Sequence, residues 1–168
     1  MTAPRLIAIG PLHWTMGYDY LLAALSRLHQ AGVPFTAQIV GSGPLYSDLR
    51  FAIGDIGLRD IVRLQPNFTP EQTTAALQEA DVYVLTSHRD EIRPPLRDAL
   101  ALGKVVVAAA FPGIEQVVQN GINGYLTPPR DVYALADRLS QVLRSPDQHA
   151  STSDNPTGSP PAAAALNV

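Results

Sequence analysis

Six short apolar runs, each parted from the next by a stretch of helical period or a glycine-rich turn, dictate what this chain can fold into. Arg5 to Gly10, Thr36 to Val40, Ile61 to Leu64, Val82 to Thr86, Val105 to Ala108 and Gly124 to Thr127 read as strands. Gly17 to Gln30 reads as a helix with Leu21, Leu22, Leu25 and Leu28 on one face. Pro44 suits the first turn of a helix running to about Ile56, and Thr69 followed by Pro70 predicts an N-cap and first helical residue. A last helix starts at Asp131, turns Val132, Leu135, Ala136, Leu139, Val142 and Leu143 inward, and stops before Pro146. Strands that are apolar throughout must be covered on both faces, which helices between parallel strands accomplish. The expected fold is α/β, a doubly wound parallel sheet of about six strands flanked by helices.

At 168 residues, 46% apolar and 16% charged, the chain has material for one core and not for a second full domain. The expected domain covers residues 1–146, and the Ser, Thr, Pro, Gly and Ala composition of 147–168 predicts a disordered tail. With a net charge of −3 and 12 scattered Lys and Arg residues, there is no basic field for a nucleic-acid backbone. No apolar run approaches the roughly 20 residues of a membrane span, and no signal peptide opens the chain, so a cytoplasmic location is expected. The absence of cysteine excludes disulfides and thiolate chemistry. His13, His29, His88 and His149 lack ligand spacing, so a bound metal is not expected; no other cofactor is expected either.

Ligands of doubly wound sheets sit at the carboxyl ends of the strands. Those ends carry the loops Gly10 to Gly17, Gly41 to Pro44, Gln65 to Pro70 and Ser87 to Pro95. The last of these opens the run SHRDEIRPPLRDALALGKVVVA, from Ser87 to Ala108, which sets Asp90 and Asp98 around one helix N-terminus. Carboxylates there accept hydroxyl hydrogen bonds, while the helix end favours an anion. Read alone, Asp90 and Glu91 are also ordinary N-terminal helix charges, and Gly41, Ser42 and Gly43 an ordinary strand-to-helix turn. Gly10 and Gly17 suit either tight turns or close approach to a diphosphate. His13 and Trp14 read as packing near the first loop, His88 as a lone exposed histidine, and Glu115 as a first-turn helix acid.

The segments GPLHWTMGYDYLLAAL, IVGSGPL, ADVYVLTS, DALALGK and GIEQVVQNGINGYLTPPRD, in this order, resemble the C-terminal, donor-binding half of retaining GT-B glycosyltransferases of family four. The resemblance runs from about Arg5 to Ser145 and implies a single Rossmann-like GT-B half. It implies transfer of a sugar from a nucleotide diphosphate donor with retention and without metal, the acceptor domain coming from elsewhere. The family's two acids, with seven residues between them, fall on Asp90 and Asp98. Glu91 takes the first role only if the loop is one residue shorter. By this resemblance Asp98 reaches the ribose and Asp90 the donor sugar. Glu91, Ile92, Arg93, Gly10, Leu12 and Gly17 surround the sugar and phosphates, and Leu64 and Gln65 meet the base.

Several positions depart from the pattern. Asp in place of Glu shortens each acid by roughly 1.5 Å, and a misplacement of about 1 Å can cost on the order of 10²-fold in rate. Pro11 and Met16 stand where the family commonly carries cations for the phosphates. Losing two charge-assisted bonds forfeits about 3–6 kcal/mol, or roughly 10² to 10⁴ in affinity. Glu91 adds a repelling charge, Pro94 and Pro95 remove amide donors, and Arg93, Arg89 or Lys104 are the cations that could compensate. Two functions are therefore expected to compete: the donor half of a glycosyltransferase completed by another chain, and a non-catalytic interaction module. An uncovered cleft face would also favour self-association.

Overall fold

The computed structural model describes residues 2–89 and 93–144. The strands are β1 (Arg5–Ile9), β2 (Thr36–Val40), β3 (Val62–Gln65), β4 (Val82–Leu85), β5 (Val105–Ala109) and β6 (Tyr125–Thr127). The helices are α1 (Tyr18–Gln30), α2 (Tyr46–Asp55), α3 (Pro70–Glu79), α4 (Pro94–Ala101) and α5 (Val132–Arg144). All strands run parallel in the order β3-β2-β1-β4-β5-β6, so the chain reverses its direction of winding between β1 and β4. Every residue of β4 and β5 is buried, as their uninterrupted apolar runs require.

Helix α1 packs against α2 on one side and α5 on the other, and α3 packs against α4. Leu21, Leu22, Leu25 and Leu28 of α1 and Leu135, Ala136, Leu139, Val142 and Leu143 of α5 are buried as their spacing predicts, with Val132 half-buried. Thr69 caps α3 in a reciprocal box: its hydroxyl accepts from the Gln72 amide at 3.2 Å, and its own amide donates to the Gln72 side chain at 2.9 Å.

Several element ends shift by one or two residues from expectation, and two of the shifts fall beside the first loops. Gly17 precedes α1 as its cap, in the left-handed region at φ 66, rather than lying within the helix. Pro44 stands two residues before α2, which starts at Tyr46. The loop here is held instead by the Leu45 amide donating to the Leu12 carbonyl at 3.0 Å. The predicted tail at 147–168 lies outside the described residues.

Candidate functional site

The crevice at the β1/β4 reversal is built from the first loop, which is fastened on both sides. Toward β2, the Gly10 amide donates to Val40 O at 3.0 Å and the Leu12 amide to Ser42 O at 2.9 Å. Toward β4, Thr86 Oγ1 donates to Met16 O at 2.8 Å and the His88 amide to Thr15 O at 2.8 Å. Gly17 is required by this closure: a Cβ there would run into the Thr86 carbonyl. A Cβ on Gly10 would meet the end of the buried Met16 side chain, so Met16 fills the space beside the first glycine. Across the next gap, Asn67 Nδ2 donates to Ser42 Oγ at 2.7 Å, tying the β2 and β3 loops together.

Beneath this frame Tyr18 is buried and donates its hydroxyl to Gly10 O at 3.0 Å. Burial drives the Tyr18 hydroxyl far above its ordinary pKa, and the Arg93 guanidinium only partly opposes this. Tyr83, inside β4, is raised the same way by burial, next by Tyr18, with Arg93 opposing and Asp98 reinforcing. Arg93 is the residue preceding α4, and its charge acts on both tyrosine hydroxyls. Asp98 lies on the exposed side of α4, one turn in.

The crevice offers few amide donors. Gly10, Leu12, His13, Met16 and Gly17 all give their amides to protein carbonyls, and Leu12 is wholly buried with its carbonyl also occupied. Leu12 is thus a packing residue of the loop, and its amide points at Ser42. At α4, Pro94 and Pro95 have no amide hydrogen and the Leu96 amide donates to Arg93 O at 3.2 Å. On the outer edge, the Gln65 carbonyl accepts from the Gly41 amide at 3.0 Å. Alternation along the parallel ladder then leaves the Leu64 amide and carbonyl facing away from β2.

Asp90, Glu91 and Ile92 lie outside the described residues. Of the compensating cations expected, Lys104 is excluded by position: it precedes β5 at the opposite end of the sheet, and its ammonium donates to Gln78 O at 2.7 Å. Glu115 lies in a single 3-10 turn, Ile114–Gln116, where its carboxylate accepts from the Gly113 amide at 3.1 Å. His13 packs as expected, its Nδ1 accepting from the Thr15 amide at 3.4 Å. No group of metal-ligating side chains occurs among the described residues.

A cleft of about 480 Å³ adjoins the crevice, and sequence reasoning missed it. Trp14, Tyr18, Tyr20 and His88 line it with Asp19 and Arg130, and α2 closes the far wall. His88 is half-buried rather than exposed. It meets the Tyr20 ring edge-on, with centroids 5.3 Å apart. Burial first, then Arg130, lowers its pKa, against a smaller opposing pull from Asp19. Arg130 is the one non-glycine residue at positive φ among the described residues, at 61°. None of this is visible locally, because the contributing residues come from four separate loops and helices.

A doubly wound sheet with its crevice at the reversal point defines a Rossmann-like domain of the kind that makes up half of a GT-B enzyme. Residues 3–145 match the family model described as "Glycosyl transferases group 1", and the chain belongs to that family. A Salmonella typhimurium protein named "Putative colanic acid biosynthesis glycosyltransferase WcaL" is 33% identical over 147 residues, covering 83% of this chain and 36% of its own length. The chain thus spans about a third of that relative and is a partial, C-terminal-type domain. Among solved structures, Anabaena HepE in complex with UDP-glucose superposes with a TM-score of 0.80 at 24% identity, over 92% of this chain and 43% of that one. The C-terminal domain of the Francisella tularensis group 1 glycosyltransferase LpcC superposes at 0.77 with 20% identity, over 93% and 84%. At these identities the two structures establish the fold. Among the described residues no helix is long and apolar enough to cross a membrane.

Proposed function

We propose that this chain is the donor-binding half of a retaining glycosyltransferase, holding a nucleoside diphosphate sugar in the β1/β4 crevice and completed by an acceptor domain. The observation that carries the reading is a first loop fixed at both ends beside the start of α4 at the reversal point of the sheet, with Arg93 as the residue before that helix and Asp98 one turn into it. Arg93 supplies the positive charge for the diphosphate that spent amides and two prolines do not. Asp98, exposed on α4, accepts from the ribose diol. Asp90 takes the donor sugar's hydroxyls, and the outward backbone groups of Leu64 receive the base. UDP is the first donor nucleotide to test, since HepE was solved with UDP-glucose.

In the reaction the bond between the anomeric carbon and the diphosphate oxygen breaks. An acceptor oxygen bonds the same face, and its proton passes to the departing diphosphate. Arg93 stabilises the charge that develops on that leaving group. No metal or further cofactor is part of this scheme.

A second reading, a binding module without turnover, is favoured by the shortage of amide donors. Calorimetric titration with UDP, GDP and ADP decides between them. Binding of UDP tighter than about 1 mM, lost in Asp98→Ala and weakened roughly 10- to 100-fold in Arg93→Met, supports the donor site. Absence of binding to all three nucleotides leaves the non-catalytic module.

A further inference from the structure

We propose that the groove between α2 and the edge strand β3 binds a small phosphate monoester carried on an apolar or aromatic body. The groove measures about 370 Å³, within the range of small-ligand sites, and is lined by Tyr46, Arg50, Ile53, Arg59, Val62 and Leu64. Ile53 and Val62 are buried and Leu64 is half-buried, so the inner wall is apolar. Its polar groups are two exposed guanidiniums and the Tyr46 phenol. No carboxylate lines it. Among the described residues the one ion pair joins Arg5 to Glu79 at 3.2 Å, and Arg50, Arg59 and the Tyr46 hydroxyl have no hydrogen-bond partner. Asp55 and Asp60, close by in sequence, neither line the groove nor pair with either guanidinium. A chain of net charge −3 thus leaves two cations uncompensated at one apolar groove.

Gly54 shows that one of these cations is seated. It lies in the last turn of α2 without a positive φ, so the backbone does not call for glycine, and glycine weakens a helix relative to alanine. What calls for it is space: a Cβ there would come within 2.5 Å of Arg59 Nη2 and 3.4 Å of Nε and Cζ. The guanidinium lies against α2 where a side chain would otherwise stand, held at the groove with no protein counter-charge. Two guanidiniums match the dianion of a phosphate monoester, whose oxygens accept from paired N–H donors, and the apolar wall answers its organic part. The groove shares no residue with the first loop or α4, so this site does not rest on the donor reading.

The experiment titrates the full chain by calorimetry with phenyl phosphate, inorganic phosphate and phenol, at a constant ionic strength of about 0.15 M. Phenyl phosphate is expected to saturate with a Kd below about 10 mM, at least about fivefold tighter than inorganic phosphate, and phenol not to bind. Arg50→Gln and Arg59→Gln should each weaken it about 3- to 10-fold. Gly54→Ala, which displaces the guanidinium while favouring the helix, should weaken it without lowering the thermal midpoint. Arg93→Met and Asp98→Ala should leave it unchanged, and circular dichroism confirms that each variant is folded. No saturation by about 100 mM phenyl phosphate overturns the proposal, as does an equal affinity for inorganic phosphate. So does binding that survives unchanged in both Arg50→Gln and Arg59→Gln, or that is lost in Arg93→Met or Asp98→Ala, which puts the ligand in the crevice. UDP binding that persists in Arg59→Gln and fails in Arg93→Met supports the donor reading whatever the phenyl phosphate result.

Discussion

At the residue scale, two backbone conformations separate structure from function. Gly17 holds φ 66 with its α-carbon facing the Thr86 carbonyl, so the position tolerates no side chain. Gly17→Ala combines the left-handed penalty of about 1–2 kcal/mol with that collision. It is expected to lower stability by at least about 2 kcal/mol in urea unfolding. Arg130 holds nearly the same φ while carrying a side chain, and nothing blocks a smaller residue there. Arg130→Gly is expected to stabilise the fold by about 0.5–1 kcal/mol, read as a higher urea midpoint. The same change removes the second cause of the lowered His88 pKa. The imidazole should then titrate at higher pH by NMR, nearer its ordinary 6.5, though burial keeps it below that value.

At the element scale, helix ends carry the information. The Thr69 box satisfies the amides of Thr69 and Gln72 at once, and Thr69→Ala is expected to cost about 1 kcal/mol, measurable by thermal unfolding. Helix α4 is the opposite case. Its two leading prolines fix the backbone for a helix start yet withhold the amides that an anion needs. On the donor reading proposed above, the diphosphate depends on the Arg93 side chain, which is why Arg93→Met is the informative variant and a cap substitution at α4 is not. The cation expected from Lys104 is absent because that residue closes the far end of α4 onto Gln78, a contact between α3 and the α4–β5 turn.

At the scale of the whole molecule, the buried hydroxyls of Tyr18 and Tyr83 couple stability to pH. Both are held protonated in the fold above their ordinary value near 10, so the unfolded chain releases these protons first. Their contribution is intact below about pH 10 and is lost as pH rises above it, by roughly 1.4 kcal/mol per pH unit for each hydroxyl. In an alkaline titration, two of the six tyrosines should ionise at 295 nm only as the circular dichroism of the fold disappears.

The strands and helices were legible in the sequence because their causes are local. Four-residue apolar runs such as Val82–Leu85, the leucine stripe of α1 and the Thr69-Pro70 start each need only neighbouring residues to be read. The parallel doubly wound class followed, since strands buried on both faces require helices between them. The loops at the carboxyl ends were also legible, but their interior was not. Thr86 reaches Met16 across 70 positions, and Leu12 reaches Ser42 and Leu45 on the neighbouring turn. Which amides are spent, whether His88 is exposed, and the meeting of Trp14, Asp48 and Arg130 in one cleft depend on segments brought together only by the strand order. Sequence determined the elements and the end of the sheet where a site belongs, because periodicity and capping are short-range. Tertiary structure decided which groups remain free there, because hydrogen bonding and burial are settled by contacts between residues distant in the chain.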